Sequence, residues 1–133
     1  MRRLGKLEAS INDFKDAIKM RPDRPSAHNN LGLSFFEYGE FDDALAHYKK
    51  AIELEPTSVH YNNRGLAYFH FDKLEEAKAD FEQAISIDKK NPTIYFNLGN
   101  VYLNWKGKKK FDEAIKCYDT ALRIQKDSAP AGN

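Results

Sequence analysis

The chain has 133 residues, 41% of them hydrophobic and 31% charged, a balance that suits one domain with a core and argues against disorder. A formal net charge of +1 gives no long-range field to draw in nucleic acid or an anionic membrane, and no run of about 18 apolar residues is present to span a bilayer. The single cysteine, Cys117, excludes an internal disulfide framework, and MRRLGKLEAS lacks a signal core, so a cytoplasmic setting, or a nuclear one, is expected. A missing signal equally fits a segment cut from a longer protein.

In chain order, the apolar periodicity predicts seven helices and no strand. The first spans about Leu7–Met20, with Ile11, Phe14, Ala17 and Ile18 on one side and Lys15, Asp16 and Lys19 on the other. Pro22 and Pro25 are expected to close it, and Ser26 to cap a second helix reaching about Tyr38. Gly39-Glu40 turns the chain into a third, about Phe41–Leu54, whose early Asp42 and Asp43 suit the helix dipole. After Pro56-Thr57-Ser58 come helices of about Val59–Phe71 and Leu74–Ile87, turning at Asp72-Lys73. Asn91-Pro92-Thr93 opens a helix to about Trp105, and a longer connection, Lys106–Lys110, leads to the last, about Phe111–Ile124. The tail KDSAPAGN reads as disordered.

These helices repeat. Gly32, Gly65 and Gly99 recur at intervals of 33 and 34 residues, each two after an asparagine: Asn30, Asn63, Asn97. Each glycine is followed by a triplet spaced by four and then three: Ala44-Tyr48-Ala51, Ala77-Phe81-Ala84 and Ala114-Tyr118-Ala121. A truncated copy, Ser10-Phe14-Ala17, precedes them. Glycine inside a helix costs roughly 1 kcal/mol against alanine, so its repetition implies a repeated gain in close helix contact. The expectation is that Ala44, Ala77 and Ala114 face the glycines and that Phe35, Tyr68 and Tyr102 fill the gap with Tyr48, Phe81 and Tyr118. Ala51, Ala84 and Ala121 would then let the following hairpin approach.

This small-aromatic-small grammar resembles the tetratricopeptide repeat (TPR), in about three and a half copies: a half repeat at 1–23 and repeats at about 25–57, 58–91 and 92–126, with 127–133 as a disordered tail. The resemblance implies an all-α fold, a right-handed superhelical solenoid of antiparallel helical hairpins. Departures are Ser10 in place of alanine, a longer last turn, and Arg64 where Leu31 and Leu98 stand, which is expected to snorkel or pair locally.

The resemblance also implies a concave groove lined by first helices that binds an extended peptide or partner protein, in a non-catalytic adaptor or assembly scaffold. Its wall would carry Asn29, Asn30, Leu33, Phe36 and Glu37, then Asn62, Asn63, Leu66, Phe69 and His70, then Phe96, Asn97, Asn100, Leu103 and Asn104. Asn30, Asn63 and Asn97 form a ladder whose amides both donate and accept, suited to gripping a peptide backbone. The alternative is that they are solvated or bond a neighbouring helix. The clamp that holds acidic chaperone tails in some relatives is not expected, because neutral Asn29, Val59, Thr93 and Asn97 occupy its lysine and arginine positions.

Other candidates read as structural. Trp105-Lys106-Gly107-Lys108-Lys109-Lys110 fits a solvated turn better than an anion site, and His28, His47, His60 and His70 lack zinc-site spacing. Cys117 has no nucleophile constellation, and the acidic pairs sit at helix starts. No enzyme, cofactor, metal, nucleic-acid or membrane partner is expected. The first helix lacks a partner and the end bearing Ala121 and Ile124 is bare, so pairing with another copy is a second reading. A third is the substrate-recruiting part of a larger enzyme.

Overall fold

The computed structural model describes residues 2–105 and 110–128, with side chains from residue 5 onward. Among these residues there are seven helices and no strand: α1 (Arg2–Met20), α2 (Pro25–Tyr38), α3 (Phe41–Leu54), α4 (Ser58–His70), α5 (Leu74–Ile87), α6 (Pro92–Leu103) and α7 (Phe111–Ser128). The closest pairings are α2 with α3, α4 with α5 and α6 with α7, and each hairpin packs on the next to form a solenoid. The first helices α2, α4 and α6 touch in succession, while α1 neighbours α2.

Local chemistry sets the boundaries, with some differences from the pattern. Pro25 opens α2 instead of closing α1, because its fixed φ suits a first helical turn; Arg24 holds the N-cap without a side-chain bond, and Ser26, the expected cap, lies inside the helix. Thr57 and Asn91 do cap, accepting from the backbone N–H of His60 at 3.2 Å and of Thr93 at 3.0 Å. The two tight turns need left-handed backbone, supplied by Gly39 at φ 96° and by Asp72 at φ 61°. α6 stops at Leu103, so Trp105 lies beyond the helix, its ring 6.3 Å from that of Tyr102. α7 extends to Ser128, which puts Asp127 and Ser128 of the expected tail into helix; residues 129–133, and 106–109 of the basic loop, lie outside the described residues.

Packing shows what the glycines and alanines stand against. A Cβ at Gly32, Gly65 or Gly99 would stand 2.7, 2.7 or 2.6 Å from the ring of Tyr48, Phe81 or Tyr118. The ring of the second helix therefore stands nearest each glycine. The third alanine of each triplet is fully buried: Ala84 shares a core cluster with Ile94 and Leu98 of the following hairpin, while Ala121 is buried with no hairpin after it among the described residues. Ala17, whose hairpin has no first helix among the described residues, is exposed.

Two clusters form the core, one around Ile11, Leu31, Phe35 and Tyr48, the other around Phe81, Ile94, Leu98 and Val101. Arg64 replaces the buried leucine of its neighbours and pairs locally, as expected. Its Nε and Nη2 each donate to the Asp80 carboxylate at 2.7 Å, with the rings of Tyr61 and Tyr68 both 5.8 Å from the guanidinium. Asp80 is only 4% exposed. Burial pushes its carboxyl above the ordinary range, and the two bonds from Arg64 pull it back.

Candidate functional site

The first helices stand side by side because α2 touches α4 and α4 touches α6, so side chains on one reach the next. Asn63 Nδ2 donates to Asn29 Oδ1 at 3.0 Å, and Asn97 Nδ2 donates to Asn62 Oδ1 at 2.9 Å. The amides thus staple neighbouring first helices. An amide so engaged keeps part of its bonding capacity, since asparagine offers two donors and an acceptor with two lone pairs. Asn63 and Asn97 thus bond a neighbouring helix, the alternative stated for the ladder.

Between α4 and α6 lies an open hollow of about 220 Å³, lined by Leu66, Phe69, His70, Asn97 and Asn100, with Phe81 also contributing. Among the described residues no acidic or basic side chain other than the imidazole lines it. Upstream, Phe36 sets its edge against His70 with centroids 5.3 Å apart and against Phe71 at 6.0 Å, while Phe71 rests on Phe41 at 4.0 Å. An aromatic run therefore leads from α2 across the hairpin turn to the hollow.

Of the residues expected on the wall, Leu66, Phe69, His70, Asn97 and Asn100 meet at the hollow, and Phe36 reaches it through His70. Leu33 is exposed, and Asn29 and Asn62 act through the staples. Phe96 turns to its own hairpin, 5.9 Å from the Tyr118 ring, and the Tyr118 hydroxyl donates to Asn100 Oδ1. Asn30 is not brought to the hollow at all; it lies in a separate cleft between α1 and α2.

One constellation escaped the sequence reading. His28 and His47, 19 residues apart, stack with centroids at 5.5 Å and Nδ1 atoms 3.3 Å apart, and His28 Nε2 is 2.9 Å from the Pro22 carbonyl oxygen. His28 and His60 are buried rather than surface histidines. The only foretaste was positional, since His28 and His47 each lie four residues or one before the repeat marks Gly32 and Tyr48. Burial pushes the Cys117 thiol up, which keeps it protonated and a poor nucleophile. Among the described residues no group of three His, Cys, Asp or Glu side chains is placed to hold a metal ion, and no helix is long and apolar enough to cross a membrane.

Family models described as tetratricopeptide repeat match residues 25–58 and 92–128, and one described as TPR repeat matches residues 2–39 and 72–104. A crystal structure of MamA superposes with a TM-score of 0.82 at 25% identity, over 96% of this chain and 73% of that one. The first TPR of Spaghetti (RPAP3), bound to the HSP90 peptide SRMEEVD, superposes with a TM-score of 0.71 at 25% identity, over 78% and 81%. The APC/C hetero-tetramer Cut9-Hcn1 matches at a TM-score of 0.81 and 24% identity over 92% of this chain and 23% of that one, a likeness of fold.

Proposed function

This chain belongs to the tetratricopeptide repeat family, and we propose that it is a non-catalytic module that binds an extended peptide or partner protein along its first helices, as an adaptor or assembly scaffold. The observation that carries this reading is the open hollow between α4 and α6, where apolar Leu66 and Phe69 sit beside the amides of Asn97 and Asn100. Apolar side chains supply affinity by burial, and amides supply orientation to a peptide backbone. The relative bound to the HSP90 peptide SRMEEVD supports a peptide as the class of ligand. Here the lining lacks lysine and arginine, so the ligand is a neutral, apolar-bearing segment and not an acidic tail.

The test is a panel of labelled extended peptides, SRMEEVD among them, titrated against the chain by fluorescence anisotropy. Binding of a neutral peptide should weaken at least about tenfold in the variant His70→Glu/Asn100→Glu, with the melting temperature lowered only slightly, because both residues are exposed and a glutamate at 100 can still accept from the Tyr118 hydroxyl. Equal affinity in that variant would move the site elsewhere. Micromolar binding of SRMEEVD would show that the groove accepts carboxylates after all.

A further inference from the structure

On the face that lines the hollow, α6 departs from the other first helices. The residue after the repeat glycine is Leu33 on α2 and Leu66 on α4, but Asn100 on α6. A tyrosine at the ring position does not by itself call for an amide there, since Tyr48 serves the helix that carries Leu33 and Tyr118 the one that carries Asn100. The exchange puts a second amide beside Asn97, one turn along the same face of α6 and displaced from it by roughly 4.5 Å along the helix axis.

The two amides are held in opposite senses. Asn97 Nδ2 donates to Asn62 Oδ1 at 2.9 Å, which leaves Asn97 Oδ1 to accept. Asn100 Oδ1 accepts from the Tyr118 hydroxyl, which leaves Asn100 Nδ2 to donate. Neither Asn97 Oδ1 nor Asn100 Nδ2 has a hydrogen-bond partner among the described residues. The α6 wall of the hollow therefore offers one acceptor and one donor, while α4 opposite offers Leu66 and Phe69.

A primary carboxamide matches that pair. Its oxygen accepts from Asn100, its NH2 donates to Asn97, and a methylene stem rests on Leu66 and Phe69. A carboxylate sets an acceptor against Asn97 Oδ1, an ammonium sets a donor against Asn100 Nδ2, and an apolar side chain strips water from both amides without replacing its bonds. A peptide main chain fits less well. A segment that follows the aromatic run from Phe36 to the hollow crosses the helices, whereas the two amides are displaced along one of them, so a side chain projecting from the segment reaches both.

Building on the reading of this hollow as a peptide site, we propose that it is the pocket for the side-chain carboxamide of a glutamine in an otherwise neutral partner segment. Asn97, fixed by Asn62, is the acceptor, and Asn100, fixed by Tyr118, is the donor.

The probes are labelled peptides Leu-Ser-Ser-X-Ser-Ser with blocked ends, X being Gln, Glu, Met or Lys, titrated against the whole chain by fluorescence anisotropy. The Gln peptide should bind about tenfold more tightly than each of the others, the worth of two hydrogen bonds at an open site. Asn100→Asp keeps an acceptor for the Tyr118 hydroxyl but replaces the free donor by an acceptor, so the preference should pass from Gln to Lys while the Met peptide changes little. Peptides that bind and lose affinity in His70→Glu/Asn100→Glu, yet do not favour Gln, overturn the carboxamide pocket and leave the groove standing. So does an affinity indifferent to X that falls when the amide bond before X is replaced by an ester, because the main chain is then what the two amides hold. Saturable binding by none of these peptides, nor by any other neutral extended peptide, overturns the pocket and the groove together.

Discussion

The hairpin α4–α5 and the lone helix α1 carry the same ring and alanine positions, but their surroundings differ. Phe81 is fully buried beneath Gly65 and Ala84 beside it is buried too, whereas Phe14 is half-open and Ala17 exposed. The same residues therefore have different energetic roles depending on whether a first helix lies over them, as expected of a solenoid whose units bury their faces only against neighbours. The C-terminal end tells the same story: Leu122 is 55% exposed, while Ile52, its counterpart under α4, is 8% exposed.

The largest expected effect tests this contrast directly. Phe81→Ala removes a fully buried ring and should cost about 3–5 kcal/mol, where Phe14→Ala should cost on the order of 1 kcal/mol, read by urea unfolding. Equal losses would mean that α1 is as well covered as the complete hairpins. Next comes the position that differs among the hairpins: Leu31 with His47, Arg64 with Asp80, Leu98 with Cys117. Asp80→Ala strands the guanidinium of Arg64, itself partly exposed, and should cost about 2–4 kcal/mol. Arg64→Leu/Asp80→Cys, which copies the last hairpin, should recover most of that loss, because an apolar pair of similar volume avoids the desolvation of two charges. If the double variant is as unstable as the single one, the ion pair is needed for more than filling space. A smaller effect separates the helix starts. Thr57→Ala removes a cap bond and should cost about 1 kcal/mol, while Arg24→Ser should gain a few tenths where no side-chain cap exists, both read from melting temperatures.

The fold was legible because its determinants are periodic. Glycine, ring and alanine recur at fixed spacing, and the local pairing of Arg64 followed from a charge standing where leucine stands elsewhere. What stands nearest the glycine was not legible, because spacing along one helix does not say which residue of the partner is nearest, and the ring outreaches the alanine. The site was legible in half. Leu66 and Phe69 share a face of α4, and Asn97 and Asn100 one of α6, but the Asn63–Asn29 and Asn97–Asn62 bonds depend on the offset between neighbouring first helices, which no single-helix pattern contains. The same limit hid the contact of His28 with His47, residues on opposite helices of one hairpin.

That histidine pair gives the smallest predicted effect and the one specific to the first hairpin. His28 Nε2–H donates to the Pro22 carbonyl, which leaves His28 Nδ1 as an acceptor for Nδ1–H of His47. An N–H···N contact of this kind needs one unprotonated nitrogen, so it is lost when both Nδ1 atoms carry a proton. His47 is held below its ordinary value of 6.5 by burial, then by His28 opposite and Lys15 on α1, with Asp43 on its own helix acting the other way; the Phe35 ring stacks on it at 5.6 Å. A group whose folded pKa is depressed in this sense favours the neutral form in the fold. Its contribution is therefore present above 6.5 and is lost as pH falls from there toward the folded value. Melting temperatures taken between about pH 7.5 and pH 5.5 should fall in the native chain, and His47→Gln should fall less, because the group that must charge on unfolding is gone. An equal fall in both would assign the acid sensitivity to other groups and leave the pair as packing alone.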